Sequence, residues 1–305
     1  MEKCNFCNGE AIYHRPYSGE HHCELCYIKA VEKQVQRTIT RHRMLKPDDY
    51  VAIAVSGGKD SVSLIHIIST LEARFPQSKL VAITIDEGVS GYRSEAIDIA
   101  RECCEKFGIE HRLHSFKKLY GYTLDEIAEC AKEKGVPHVC SYCGVLRRKA
   151  LNVAAREAQA TKLATAHNLD DEVQSMVMNF LRGDISRMSG HQLGLECEGL
   201  VPRVKPLCKV PEKEVALYAF LKKVRFQSLP CPYSETSLRS DVRRFLNKLE
   251  NKHPGMKFTV YKSFGRVQQQ LRFQEERRLS RCNICGEPTS RETCMACQML
   301  RKLAT

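Results

Sequence analysis

The sequence predicts an α/β protein built on a doubly wound parallel sheet. Three observations support this fold class. Between residues 50 and 181, apolar runs of strand length alternate with segments of helical periodicity. The run at 51–55 is apolar and rich in β-branched residues, as is typical of a buried parallel strand. A glycine turn and an apolar segment of helical length follow it directly, which is the order of a strand–turn–helix unit.

The predicted elements follow one another in a regular order. A basic connector helix is expected over 27–44, before the sheet begins. Strands are expected where short apolar or alternating runs occur, at 51–55, 79–85, 110–116 and 161–167. Helices are expected where the periodicity is helical, at 60–74, 92–107, 124–134, 145–159 and 170–181. Ligands of such a sheet bind at the carboxyl ends of its strands.

The alternation fades after residue 183. The stretch 183–207 is rich in turn residues and is expected to loop over the site, and helices are expected at 211–224 and 237–250. The segment 262–281 is strongly basic. Such a charge run indicates either a solvated helix face or contact with a phosphate backbone.

The turn after the first strand carries the clearest chemical signal. It consists of Ser56, Gly57, Gly58, Lys59, Asp60 and Ser61. Glycines let the backbone turn sharply, so that N–H groups and the positive end of the next helix face an anion, usually phosphate. The pattern is not a Walker A motif, because Asp60 stands where that motif requires serine or threonine. We predict a phosphate-binding loop; the alternative is a glycine turn without a ligand.

Composition limits the class of protein and its partners. The net charge of +12 and the isoelectric point near 9.0 favour a polyanionic partner such as nucleic acid, although an anionic surface would account for them equally well. No apolar run approaches the roughly 20 residues of a membrane span, and no signal-peptide pattern is present. We therefore expect a cytoplasmic protein with no membrane partner. Sixteen cysteines in a reducing compartment favour metal or sulfur chemistry over disulfides.

Half of the cysteines form two C-x-x-C pairs near each end of the chain. The ligands of these two predicted zinc sites are Cys4, Cys7, Cys23 and Cys26, and Cys282, Cys285, Cys294 and Cys297. Each pair presents two thiolates from one turn, and two pairs complete a tetrahedron around Zn²⁺. A closed shell of four thiolates leaves no open position, so we expect both sites to be structural. Redox-active or incidental pairs are the alternative.

A third pair, Cys140 and Cys143, has no second pair nearby. The best candidate to join it is Cys231, which lies between two prolines. Three thiolates can hold a 4Fe-4S cluster and leave one iron open to an external ligand. A catalytic disulfide or persulfide, or no role at all, are the alternatives. The remaining cysteines are expected to be small buried residues: Cys103, Cys104, Cys130, Cys197 and Cys208.

Taken together, these motifs resemble a known family. The phosphate loop is similar to the SGGxDS PP-loop of the N-type ATP pyrophosphatases, and the whole set, from Cys4 to Cys297, resembles the TtuA branch of the tRNA 2-thiolation enzymes. Four further segments are similar in sequence: 140–148, 164–172, 178–184 and 231–234. One departure is Ala166, where relatives often have glycine.

The resemblance implies a reaction and its participants. ATP would adenylate the C2 oxygen of a tRNA uridine, and sulfur would then displace AMP to give 2-thiouridine. The cofactors implied are Mg²⁺, two Zn²⁺ and a 4Fe-4S cluster on Cys140, Cys143 and Cys231. A homodimer is expected, and the sulfur would come from a ubiquitin-like thiocarboxylate protein or from free sulfide. The target uridine is at the wobble position or in the T-loop.

The resemblance also implies roles for individual residues. The expected nucleotide-binding residues are Ala54, Ser56, Gly57, Gly58, Lys59, Asp60, Ser61, Ile85, Arg147, Ala166 and Asp171. Ile85 would meet adenine through its main chain, and Asp60 would lie near the metal and phosphates. Arg147 would offset charge in the transition state. Asp171 would position ATP or substrate, whereas Asp170 or Asn168 could serve as a helix N-cap.

On this resemblance we expect four regions: a zinc knuckle at 1–30, a PP-loop catalytic domain at 31–210, a basic helical tRNA-binding extension carrying Cys231 at 211–278, and a zinc ribbon at 279–305. Two other functions share some of these motifs. A PP-loop ligase with a nitrogen nucleophile would need neither the three isolated thiolates nor the zinc sites. A non-catalytic RNA-binding protein with zinc knuckles would need no intact phosphate loop.

Overall fold

The computed structural model describes residues 2–72, 77–135, 139–185, 188, 198–233, 238–271 and 279–304. The strands are β1 Tyr13–Arg15, β2 Glu20–His22, β3 Tyr50–Ala54, β4 Lys79–Asp86, β5 Glu110–Ser115, β6 Lys162–Ala164, β7 Arg203–Val204, β8 Ser280–Arg281 and β9 Pro288–Thr289. The helices are α1 Glu24–Arg41, α2 Lys59–Glu72, α3 Arg93–Lys106, α4 Phe116–Tyr120, α5 Leu124–Glu133, α6 Val139–Glu157, α7 Leu169–Leu181, α8 Glu212–Leu221, α9 Leu238–Lys252, α10 Met256–Leu271 and α11 Met295–Ala304.

The central sheet is parallel throughout and confirms the predicted fold class. Within the described residues it has five strands in the order β5-β4-β3-β6-β7. From β3 the chain builds outward to β5 on one side, then returns to add β6 and β7 on the other. The reversal therefore lies between β3 and β6, and a ligand crevice is expected at the carboxyl ends of these two strands.

Alternating side chains of β3 pack on opposite faces of the sheet. Val51 and Ile53 belong to one apolar core with α1, α2 and α8, whereas Ala52 belongs to a second core with α5 and α6. This alternation follows from the two-residue repeat of a strand. Because both faces are covered, β3 reads as a continuous apolar run in the sequence.

One expectation about the later chain needs revision. The segment 183–207 was expected to be only loop, but Arg203–Val204 forms the edge strand β7 beside β6. A two-residue strand is too short to produce a visible alternation. Helix α8 lies in the region 211–278 that is predicted to be a basic helical extension, and its Val215 and Tyr218 are fully buried in the core with α1 and α2. The division of the chain into four regions otherwise stays a prediction.

Each end of the chain forms a small antiparallel hairpin. The pair β1–β2 precedes α1, and the pair β8–β9 precedes α11. Arg15 of β1 is buried against Glu214 of α8 with N–O distances of 3.0 and 2.9 Å. At the other end, Arg156 of α6 pairs with Glu287 beside β9. Both hairpins are thus attached to helices of the central unit. Among the described helices, none combines the length and apolarity needed to cross a membrane.

Candidate active site

The predicted phosphate loop joins β3 to α2 at the sheet's reversal point. Gly57 has a φ of 80°, and α2 begins at Lys59. The Ser56 N–H donates to Ser61 Oγ at 3.1 Å, and that hydroxyl donates to the Gly58 carbonyl at 2.9 Å. The Ser61 side chain therefore closes the loop over the first turn of α2. These hydrogen bonds hold the loop in shape.

Three helix N-termini meet at this loop. Asn168, the N-cap of α7, donates to Asp60 Oδ1 at 3.1 Å. Glu212, the first residue of α8, accepts from Lys59 Nζ at 2.9 Å, and its own N–H donates to Asp170 Oδ2 at 2.8 Å. Lys59 Nζ also lies 3.0 Å from Asp60 Oδ2. Converging helix dipoles, one lysine and several carboxylates suit an anion that is accompanied by a metal ion.

Asp171 lies at the same place but has a second role. Its carboxylate accepts the Asn168 N–H at 3.2 Å, while Asn168 Oδ1 accepts the Asp171 N–H at 3.0 Å. This reciprocal pair is a capping box, so Asn168 is the N-cap. Burial and the nearby Asp60 raise the pKa of Asp171 to about 6, although Arg239 opposes the shift. Asp170 instead pairs with Lys257 of α10.

An arginine not singled out in the sequence braces the loop. Arg93 is buried at the start of α3 and donates to the carbonyls of Ser56 at 3.1 Å and Ile85 at 2.7 Å. Its Nε lies 2.7 Å from Glu87 Oε2. The other oxygen of Glu87 lies 2.7 Å from Nε of Arg147. The charged residues directly after β4 were the available signal, because strand ends at this edge of the sheet carry ligands.

This brace bears on two predicted residues. The Ile85 carbonyl, expected near adenine, already accepts the hydrogen bond from Arg93. Arg147 is tied through Glu87 to the same arginine that holds Ser56. Ala54 ends β3, and Ala166 follows the adjacent strand β6. The predicted nucleotide residues thus lie along neighbouring strand ends and the loop between them.

The three isolated cysteines come together from distant parts of the chain. Cys140 and Cys143 lie on the first turns of α6, and Cys140 Sγ donates to the carbonyl of Tyr233 at 2.8 Å, two residues beyond Cys231. Burial raises the pKa of Cys140, and the proximity of Cys231 adds to the rise. For Cys143 burial raises the pKa to about 11, again with a contribution from Cys231. Arg147 donates to Cys143 Sγ at 3.0 Å.

The spacing of this trio differs from that of the knuckles. In each of two groups, Cys4–Cys7–Cys23–Cys26 and Cys282–Cys285–Cys294–Cys297, all ligand sulfurs lie within 4.8 Å of one another, and the trio does not meet that condition. Four thiolates around one zinc ion are about 3.8 Å apart, given bonds of about 2.3 Å and tetrahedral angles. The knuckles therefore fit one ion each. At least one sulfur–sulfur distance in the trio is therefore longer than a single tetrahedral zinc ion allows.

The C-terminal knuckle also has a cation beside it. Lys149 of α6 donates to Cys285 Sγ at 3.1 Å and lies 3.9 Å from Cys297 Sγ. Backbone N–H donors, led by that of Cys294, lower the pKa of Cys282 to about 6. In the N-terminal knuckle, burial opposes but backbone donors still lower the pKa of Cys4 to about 6. In each group one thiol thus has a lowered pKa, whereas the pKa values of Cys7, Cys26, Cys294 and Cys297 are raised by burial or by the neighbouring thiols.

Five cysteines were predicted to be small buried residues, and the segment 262–281 was predicted to be a solvated or phosphate-contacting basic run. Cys103, Cys104 and Cys208 are buried, which confirms them as core residues, and Cys130 is partly buried. Cys197 lies outside the described residues, as do 272–278 of the basic run.

A segment from the second half of the chain connects the loop to the cysteines. The Gln227 N–H donates to the Gly57 carbonyl at 2.9 Å, and Gln227 forms a parallel bridge with Gly58. Cys231 follows four residues later, a reach of at most about 14 Å for an extended chain. The segment that carries Cys231 is therefore anchored at the nucleotide loop.

Comparisons with known proteins agree with this geometry. Residues 29–250 match the model of the PP-loop domain family. The chain is 36% identical to the tRNA 2-thiolation protein NcsA of Haloferax volcanii, covering 99% of both chains. It is 34% identical to cytoplasmic tRNA 2-thiolation protein 1 of Xenopus laevis, covering 99% of this chain and 88% of that one.

A solved structure is similar over almost the whole chain. The U34-tRNA thiolase NcsA from Methanococcus maripaludis, determined with its 4Fe-4S cluster, has a TM-score of 0.87 and 36% identity, covering 99% of this chain and 97% of that one. The chain has the phosphate loop, the three convergent cysteines and the terminal knuckles, and it matches these proteins in both sequence and fold. The chain belongs to the PP-loop family of tRNA 2-thiolation enzymes.

Proposed function

We propose that the protein uses ATP to activate the C2 oxygen of a tRNA uridine and replaces that oxygen with sulfur held at Cys140, Cys143 and Cys231. The observation that carries this proposal is the direct link between the nucleotide loop and the trio. Gly57 and Gln227 share a hydrogen bond of 2.9 Å, and Cys231 follows Gln227 closely in the chain. This link places the segment that carries Cys231 beside the loop that would hold the activating nucleotide.

The phosphate loop would bind and orient the triphosphate. Backbone N–H groups of Gly57 to Ser61 and the convergent N-termini of α2, α7 and α8 supply positive potential. Asp60, with Asp171 nearby, supplies carboxylates of the kind that hold Mg²⁺ together with substrate phosphates. The uridine oxygen attacks the α-phosphorus, and pyrophosphate leaves. Arg147, held by Glu87, lies between the loop and the trio, where it can offset negative charge on the transferring group.

The trio fits an iron–sulfur cluster better than a single ion, because its sulfurs are too widely spaced for one metal. A 4Fe-4S cluster bound by three protein thiolates leaves one iron open for an external sulfur ligand. The protein's own contribution is to bury Cys143, to hold it with Arg147 and to exclude water from that side.

The partners follow from relatives and charge. The substrate is tRNA, and we propose the wobble uridine U34 as its target, since the similar thiolase is named for that position. The net charge of +12 suits a polyanionic substrate. Sulfur would enter as free sulfide or from a ubiquitin-like thiocarboxylate protein. We further propose a cytoplasmic homodimer, whose mass can be measured by light scattering.

The test is anaerobic thiolation of unmodified tRNA by reconstituted protein with ATP and sulfide, measured by mass spectrometry of the released nucleosides. The wild-type protein should form 2-thiouridine at U34, and Cys231→Ala should lose at least a hundredfold in rate. Cys130→Ala is the matched control, because Cys130 is a partly buried cysteine on α5 that is not one of the three predicted ligands. Full activity of Cys231→Ala would contradict the proposal, and activity in iron-free protein would favour a persulfide route.

A further inference from the structure

We propose that residues 227–233 form a strap whose two ends set the position of Cys231, with Gln227, Tyr233 and Asp125 as positioning residues. The inference rests on the proposed function in one respect, namely that Cys231 is a ligand of the sulfur-handling site. The hydrogen bonds themselves do not depend on it. Tyr233 meets the cysteines through its main-chain carbonyl, which accepts from Cys140 Sγ, whereas its side chain bonds to Asp125.

One end of the strap is anchored to the nucleotide loop. Gln227 is 8% exposed, and its N–H donates to the Gly57 carbonyl at 2.9 Å. The bridge between Gly58 and Gln227 makes this contact resemble a short parallel strand pair. The Gln227 side chain also donates to the carbonyl of Tyr92. Main-chain and side-chain contacts thus hold the same residue from two directions.

The other end is anchored to α5 and α6. Tyr233 OH donates to Asp125 Oδ1 at 2.7 Å, and its carbonyl accepts from Cys140 Sγ at 2.8 Å. The second oxygen of Asp125 accepts the Ser90 N–H at 2.9 Å. Asp125 is in the first turn of α5, which begins with a capping box at Thr123. The tyrosine therefore bonds to a carboxylate that is itself held in place.

Between the anchors most residues of the strap are exposed. Residues 228–230 and Pro232 are exposed, while Cys231 is partly buried. Pro230 and Pro232 each fix φ near −65°, so the backbone on either side of Cys231 has little freedom. Six peptide steps separate the two anchored residues, a span of at most about 20 Å. The strap is short, its prolines are stiff and the residues beside Cys231 are exposed. We therefore expect the position of Cys231 to depend on the two anchored ends of the strap.

This arrangement predicts what removal of one hydroxyl does. Tyr233→Phe keeps the ring but frees the Asp125 end of the strap. Cys231 then samples more positions relative to Cys140, which weakens any group that needs both sulfurs at once. Removing a group that orients a metal ligand typically lowers metal affinity by about tenfold or more. Binding of ATP at the opposite anchor should be unchanged.

The matched control is Tyr218→Phe. Tyr218 OH also donates to a carboxylate, Glu32 Oε1, at 3.0 Å, but it lies in the core between α8 and α1. Both variants lose one tyrosine–carboxylate hydrogen bond, and only one of them touches the strap. Asp125→Ala removes the same bond from the other side together with the bond from the Ser90 N–H, so adding Tyr233→Phe to Asp125→Ala should change little further.

Two measurements test the proposal. In iron-free protein, the yield of the Cys140–Cys231 cross-link formed by dibromobimane is mapped by peptide mass spectrometry. In reconstituted protein, the rate of iron loss to a chelator is followed by absorbance. Tyr233→Phe should lower the cross-link yield severalfold and speed iron loss about tenfold, while Tyr218→Phe matches wild type. Wild-type values for Tyr233→Phe, or equal changes in both variants, would overturn it.

The cross-link measurement needs no catalysis, so it separates the two proposals. If wild-type protein forms no 2-thiouridine but Tyr233→Phe still lowers the cross-link yield, the strap stands and the proposed function fails. If thiolation proceeds and the yield is unaffected, the function stands and the strap fails.

Discussion

Gly57 of the phosphate loop lies directly against Ala96 of α3. A Cβ built on Gly57 would be 2.3 Å from the Ala96 carbonyl oxygen and 2.7 Å from its Cα. The φ of Gly57 is 80°, a backbone conformation that residues other than glycine rarely adopt. The first turn of α3 thus packs against the loop that is expected to hold the nucleotide, and only glycine allows that approach.

Gly57→Ala should therefore destabilise the protein and disrupt the loop. The positive φ alone costs roughly 1–2 kcal/mol, and α3 must also move away from the new methyl group. We expect a lower free energy of unfolding in urea and loss of ATP binding by calorimetry. Gly58→Ala is the control, because its nearest neighbour would be Ser56 Oγ at 3.5 Å. Equal stability of the two variants would be inconsistent with this packing.

Asp171→Asn should stabilise the protein more at pH 7.5 than at pH 4. The pKa of Asp171 is raised to about 6 by burial and by Asp60, above the value of about 3.9 in an unfolded chain. Its contribution to the free energy of unfolding is therefore lost as pH rises from about 4 to 6, because the folded state holds the proton more tightly. Asparagine carries no charge, so the unfavourable burial of the Asp171 carboxylate at pH 7.5 is removed. Its side-chain oxygen can still accept from the Asn168 N–H.

Glu126→Gln should show the opposite sign. The Lys117 ammonium and the Thr123 N–H lower the pKa of Glu126, so its contribution is present at pH 7.5 and is lost as pH falls. Urea unfolding of both variants and wild type at the two pH values is the measurement. The same pH dependence for Asp171→Asn and Glu126→Gln would refute the assignment.

Arg15→Ala should be strongly destabilising because it leaves the buried Glu214 carboxylate without its cation. The Arg15 and Glu214 side chains are 8% and 1% exposed. Removing one partner of a buried pair costs about 3–5 kcal/mol, although Tyr17 OH, 2.8 Å from Glu214, should keep the loss near the lower end. Arg101→Ala is the control, since Arg101 is 53% exposed and its pair with Asp98 should contribute under about 1 kcal/mol. Similar losses in urea unfolding would argue against burial as the cause.

Lys149→Met should speed zinc loss from the C-terminal knuckle alone. Four thiolates around Zn²⁺ carry excess negative charge, and the Lys149 ammonium at 3.1 Å from Cys285 Sγ offsets part of it. Loss of such a neighbour should raise the rate of zinc release under peroxide by about tenfold, measured with a chromogenic chelator. Alkylation mapping should show the N-terminal cysteines unchanged.

Lys134→Met serves as the comparison for that variant. Lys134 Nζ donates to the carbonyl of Leu303 at 2.9 Å, so it contacts the same C-terminal unit without touching a thiolate. Zinc release from Lys134→Met should match wild type. Faster release in both variants would point to loosened docking of the ribbon and not to charge at the sulfurs.

Features formed by residues close in the chain could be predicted from the sequence, whereas contacts between distant segments could not. The glycine loop, the capping of α7 and the terminal C-x-x-C groups all involve residues close in the chain, and the structure shows each of them in the expected place. Edge strand β7 was missed because two residues cannot display a repeat. Glu87 directly follows β4, so its position at a strand end was a usable signal, whereas the contacts of Arg93 with Ser56 and Ile85 form only in the fold.

The sequence by itself determined the alternating strands and helices, the anion-binding loop and the types of metal ligand, because these depend on side chains and backbone preferences within a few residues. Only the tertiary structure decided that Gln227 pairs with Gly57 and that Tyr233 reaches Asp125. The physical reason is that these contacts join segments more than 100 residues apart. Their geometry exists only once the sheet and its covering helices have packed, and it is this packing that brings Cys231 to Cys140 and Cys143.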